Sequence, residues 1–133
     1  MTGRGGYILV VEDDLELSSL TEAILSFHGY DVATASNGRE ALDRIGDRPP
    51  RLILLDMRMP IMDGAHFADA YRCRHGKRTP IVVTTAAEDA QRAAAEVGAD
   101  AVLAKPFEMD ELIDTIARLL QRRAQPASRG PRS

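Results

Sequence analysis

The chain has 133 residues, 44% apolar and 28% charged, no tryptophan and a formal charge of −3. That length and balance describe one globular domain with its own core and leave no room for a second of ordinary size. The single cysteine, Cys73, excludes an intramolecular disulfide, the scattered His28, His66 and His75 exclude an ordinary zinc site, and no apolar run approaches the ~20 residues of a bilayer span.

In chain order, residues 1–6 read as a flexible start without the apolar core of a signal peptide, so a cytoplasmic protein without a membrane partner is expected. Tyr7–Val11 is the first strand and leads into Glu12-Asp13-Asp14. Leu17, Leu20, Ile24 and Phe27 recur at helical spacing, which predicts a helix turning that stripe to the core and stopped by Gly29. Asp31–Ala35 follows as a strand whose polar end marks it as the sheet edge. Asn37 can cap a second helix, with Glu40 completing an approximate capping box. Leu52–Leu55 is the third strand, and a helix is predicted from Gly64 to His75, ended by Gly76 and Pro80. Ile81–Thr84 precedes an alanine-rich helix around residues 88–97, closed by Gly98. Ala101–Ala104 precedes the clearest helix, with a stripe of Leu112, Ile113, Ile116, Leu119 and Leu120.

Five short apolar runs alternating with five helices predict an α/β fold, a parallel sheet covered on both faces. Residues 7–123 form this domain, and 124–133 read as a disordered basic tail or the start of a linker. Charge divides the same way. From Arg118 onward there are five arginines and no acid, against 12 basic and 20 acidic residues before them. An acidic body argues against nucleic acid as a direct partner of this segment.

In such folds chemistry lies outside the carboxyl ends of the strands. There the chain places Glu12-Asp13-Asp14, Asp56, Thr84-Thr85 and Lys105-Pro106. Carboxylates gathered there would raise one another's pKa values unless they hold a hard cation, and oxygen-only ligands suit magnesium. Cys73, near the end of a helix, reads as inert and partly buried, and Met57, Met59 and Met62 as packing.

With those residues in place the chain resembles a response-regulator receiver domain, a family that includes the single-domain chemotaxis regulators. The segments that carry the likeness are Ile8–Asp14, Asp56–Gly64, Thr85-Ala86, and Gly98-Ala99-Asp100 leading to Lys105-Pro106-Phe107, within residues 7–121. The resemblance implies a flavodoxin-like sheet with strand order 2-1-3-4-5. It implies that Asp56 is the phosphoacceptor, attacking a phosphohistidine to give an acyl phosphate. Asp13, Asp56 and the Arg58 carbonyl would be direct ligands of magnesium, with manganese as a second candidate, and Glu12 would act through water. Lys105 would pair with the phosphoryl group, turned inward by a cis bond to Pro106, and the Thr85 hydroxyl would turn toward it. Backbone amides of Met57 and Ala86 would cradle it. Pro60 and Gly64 would shape the turn off the strand into the next helix. Thr84 competes with Thr85, but Thr85 stands directly before a small residue, as the family pattern requires.

Three departures stand out. The position three before the lysine, commonly tyrosine or phenylalanine in the family, is Val102, a stiff β-branched residue with no ring to swing. Two past the acceptor stands Arg58, read equally as a phosphoryl contact or a solvated loop arginine, and two past Thr85 stands Ala87. The expected function is a phosphorylation switch, not a turnover enzyme, though one that promotes its own phosphorylation and dephosphorylation. The implied partners are a histidine kinase or histidine phosphotransfer protein and either a downstream protein or an effector domain outside this chain. Pairing of phosphorylated copies is a further outcome the resemblance allows. A haloacid-dehalogenase-like phosphatase would need an acid where Arg58 stands, and a degenerate interaction module would have lost site residues that are present here.

Overall fold

A computed structural model of the protein describes residues 6–59 and 61–124. The elements run β1 (Ile8–Val11), α1 (Leu15–Phe27), β2 (Val32–Ala35), α2 (Gly38–Ile45), β3 (Leu52–Asp56), α3 (Gly64–His75), β4 (Ile81–Ala86), a 3₁₀ turn (Ala87–Asp89), α4 (Ala90–Val97), β5 (Ala101–Lys105) and α5 (Met109–Ala124). The strands pair in parallel in the order 2-1-3-4-5. Expectations for residues 1–5, Pro60 and the tail from 125 onward lie outside the described residues.

The two-residue period of the strands divides their side chains between two cores. Leu9, Val11, Ile53, Leu55, Ile81 and Val83 meet α2, α3 and α4 on one face. Ile8, Val10, Leu52, Leu54 and Val82 meet α1 and α5 on the other. Central strands covered on both sides can be Ile, Val and Leu throughout, which is why they read as unbroken apolar runs. β2 is half-buried and lies at the edge, as its polar end foretold.

Strand ends run further than the apolar runs. β3 includes Asp56, β4 continues through Thr85 and Ala86, and β5 includes Lys105, because the parallel ladder still pairs Asp56 with Thr84 and Ala86 with Lys105. Backbone pairing is indifferent to the polarity of the side chain it carries. Asp56, Thr85 and Lys105 therefore lie in the ends of strands and inherit the sheet's rigidity. At the other ends β1 and β2 start at Ile8 and Val32, one residue later than the runs, and α4 starts at Ala90 after the 3₁₀ turn.

The first helix corrects the sequence reading. Its buried residues are Ser18, Thr21 and Leu25, while Leu20 is 50% and Phe27 86% exposed. On that face of the sheet α5 supplies Leu112, Ile116, Leu119 and Leu120 to the core, so α1 needs little apolar area there and packs through Leu25 and two small side chains. Asp14, placed by the sequence only in the acidic run after the first strand, caps this helix by accepting from the Leu17 N–H at 3.1 Å. Asn37 caps α2 as expected, yet Glu40 reaches back to the N–H and hydroxyl of Ser36 rather than to Asn37. Cys73 is exposed, not partly buried. It lies two residues past the buried Tyr71, about 200° around the helix.

Candidate functional site

The acidic residues assemble because β1 and β3 are neighbours. Glu12 follows β1 and Asp56 ends β3, both buried at 5% exposure, and Asp13 stands exposed beside them. Oxygens of the three carboxylates lie within 4.8 Å of one another. Lys105, brought by β5, extends its ammonium to Glu12 Oε1 at 3.3 Å and Asp56 Oδ1 at 3.5 Å. The Arg58 N–H donates to Asp56 Oδ1 at 3.3 Å, and the Asp14 N–H donates to Glu12 Oε2 at 3.1 Å.

Charge in this cluster does not balance. Desolvation first, and the Glu12 carboxylate second, push Asp56 up to about 7 against the opposing pull of Lys105 and the Arg58 N–H. Burial works against the Lys105 ammonium too, but Asp56 and Glu12 outweigh it and hold its pKa above the usual lysine value. Three carboxylates facing one ammonium leave negative charge over, and an all-oxygen donor set fits a hard divalent cation. The residues present therefore fit the group that sequence reasoning inferred.

Around this cluster the other expected residues fall as follows. Thr84 and Thr85 are both buried, but it is Thr85 that lines a cleft of about 150 Å³ with Met57, Arg58 and Asp89. The Lys105–Pro106 peptide is cis. Gly64 opens α3 so close to the end of β3 that a Cβ on it would lie 2.8 Å from Met57 Sδ and 3.0 Å from Met57 Cα. The adjoining loop carries Ile61 at φ 67°, a left-handed conformation unfavourable for a β-branched residue. Val102 pairs with Val83 and packs, half-buried, against the core under α4.

One expectation needs correcting. The Met57 amide, expected to cradle a phosphoryl group, donates to the Thr84 carbonyl at 3.1 Å and belongs to the sheet ladder. The Arg58 side chain is exposed, and its guanidinium pairs with Asp89 Oδ2 at 3.0 Å. Sequence reasoning missed Asp89 because nothing local links it to a loop 31 residues earlier. Asp14, by contrast, carried a signal, an aspartate immediately before a helix.

The sequence model of the response regulator receiver domain matches residues 8–117. The chain belongs to the response regulator receiver family. This receiver domain is 39% identical over 123 residues to the transcriptional regulatory protein CpxR homolog of Haemophilus influenzae, which covers 91% of the chain and 53% of that relative. It is 37% identical over 123 residues to the transcriptional regulatory protein PrrA of Mycobacterium tuberculosis, covering 91% of the chain and 52% of that relative. The receiver domain thus spans about half the length of these curated relatives. Among solved structures it resembles the receiver domain of NtrX from Brucella abortus, with a TM-score of 0.79 and 33% identity over 86% of this chain and 98% of that one. The chemotaxis protein CheY4 of Vibrio cholerae gives a TM-score of 0.76 and 33% identity over 85% and 97%. The flavodoxin-like fold and the two-component family inferred from the residues are both met. Among the described residues no helix is long and apolar enough to cross a membrane.

Proposed function

We propose that this receiver domain accepts a phosphoryl group on Asp56 from a phosphohistidine of a histidine kinase or phosphotransfer protein and so switches a protein-interaction surface. The observation that carries the reading is the gathering of Glu12, Asp13, Asp56 and Lys105 at adjoining strand ends, with Asp56 raised to about 7. An Asp56 oxygen forms the new bond to phosphorus, the phosphorus–nitrogen bond breaks, and its electron pair returns to the imidazole of the donor. Glu12, Asp13, Asp56 and the Arg58 carbonyl would hold a magnesium ion, whose charge when bound offsets that of the transferred oxygens. Lys105 already stands between Glu12 and Asp56 and follows the phosphoryl group as it forms. Thr85, at the cleft, donates its hydroxyl to the same group. The chain acts as a switch that carries its own phosphoryl group rather than as an enzyme that turns over a separate substrate.

Incubation with acetyl phosphate and magnesium tests this. One acid-stable, base-labile phosphoryl group should appear, and Asp56→Asn should abolish it, since an amide is no nucleophile. Full labelling of Asp56→Asn, or equal labelling of the wild type in excess EDTA, would refute the assignment.

A further inference from the structure

We infer that Arg58 is a phosphoryl-binding residue held in reserve by Asp89, and that its transfer from Asp89 to a phosphoryl group on Asp56 releases the head of α4. The inference rests on the acceptor reading above. Asp89 sits where α4 needs a capping side chain, yet its carboxylate makes no capping hydrogen bond. Instead Oδ2 takes Arg58 at 3.0 Å and Oδ1 takes Arg92 at 3.2 Å. Its backbone is helical, φ −102° and ψ 0°, and not the extended form of a capping residue. A capable cap is thus diverted to an arginine whose loop begins at the acceptor.

Arg58 is well placed to leave. Its side chain is 78% exposed while that of Asp89 is 16% exposed, so the mobile partner is the arginine. It lines the same cleft as Thr85, and its own N–H already donates to Asp56. A phosphoryl group brings roughly −1.5 to −2 charge and three acceptor oxygens, against the single charge of a carboxylate. Once Arg58 turns to it, Asp89 keeps only Arg92, a partner on its own helix. Asp89 can then rotate to the extended form and cap α4, which unwinds the 3₁₀ turn at residues 87–89. The far end of α4 stays fixed, because the Arg72 guanidinium on α3 donates to the Val97 carbonyl and, at 3.1 Å, to that of Gly98. Movement at the head therefore becomes a pivot of the helix. This route needs no aromatic ring on β5, where the chain has Val102.

The test is a double-mutant cycle on binding of beryllofluoride, an acyl-phosphate mimic, to the magnesium-saturated protein, read by amide chemical shifts. Asp89→Asn is isosteric and Arg58→Gln alters an exposed side chain, so both should fold as the wild type does. Removing the competing carboxylate should tighten beryllofluoride binding about threefold, and removing Arg58 should weaken it about fivefold. In the Arg58→Gln background Asp89→Asn should have no effect on affinity. Arg58→Gln without beryllofluoride should already move amides 87–92 toward their bound positions. An Asp89→Asn effect of equal size in both backgrounds, or unchanged affinity in Arg58→Gln, would overturn the exchange while leaving Asp56 as acceptor. Failure of the wild type to bind, or equal binding by Asp56→Asn, would overturn the acceptor reading and this inference together.

Discussion

Burial and the Glu12 carboxylate raise Asp56 to about 7 from an ordinary 3.8, so the metal-free fold keeps a proton there that the unfolded chain has released. Between those two values the native state binds more protons, and stability falls as pH rises, the loss being complete above about 7. Asp13 and Lys105 face the same carboxylate but do not change that sign. Melting in EDTA should therefore move to lower temperature from about pH 5 to about pH 8, and Asp56→Asn should flatten the decline. Magnesium, by joining the deprotonated cluster, should raise the melting temperature more at the upper pH than at the lower, adding about 2.7 kcal/mol of stability at a hundredfold excess over Kd. A profile that is the same in Asp56→Asn would contradict the shift. Gly64 offers a separate check. A methyl there meets backbone at 3.0 Å, so Gly64→Ala should cost about 1–3 kcal/mol in urea denaturation and should slow labelling of Asp56 by displacing its loop.

At the scale of elements, α1 tests how far periodicity can be read. Its pattern marks Leu20 as core, yet Leu20 is half exposed and Leu25 has no exposure. Leu20→Ser should change stability by less than about 0.5 kcal/mol, whereas Leu25→Ala should cost about 2–5 kcal/mol. Urea midpoints in the reverse order would restore the sequence reading. The pattern did announce a helix and, through Gly29, its C-terminal stop. Which face it buries depends on how much of the sheet α5 already covers, and that is not a property of residues 15–27. The same limit explains the site. Glu12, Asp56 and Lys105 were legible because each closes an apolar run, and strand ends of a parallel sheet meet by rule. The Arg58–Asp89 pair joins two loops with no such rule behind it, so only the folded chain discloses it. Signal transmission should follow that pair and Thr85: Thr85→Ala should keep phosphorylation of Asp56 but lose most of the amide shifts across α4, while Val102→Ala should change them little. Large shifts surviving in Thr85→Ala would show another route.

Across the whole molecule the two cores are unequal in what they carry. The face under α1 and α5 holds the long apolar stripe of α5, and the opposite face holds α2, α3 and α4. Helix α4 has a short buried set, Ala93 and Val97, beneath a cap that its aspartate does not supply. Small buried side chains leave little apolar area to lose on moving, so a modest electrostatic change can displace α4.

The salt bridge between Lys105 and Glu12 joins residues 93 positions apart, and this bears on how the molecule comes into being. A chain emerging from the ribosome presents Glu12, Asp13 and Asp56 long before Lys105 exists. β1 can settle between β2 and β3 by then, because all three have been made. The acids would be gathered with nothing to offset them until β4 and then β5 add to the growing edge. Lys105 closes the last strand, so Asp56 acquires its counter-charge only at the final pairing of the sheet. A nascent or C-terminally truncated chain would hold the acidic cluster without its lysine, and on the proposed reading competence to accept a phosphoryl group would itself report that folding has reached the end.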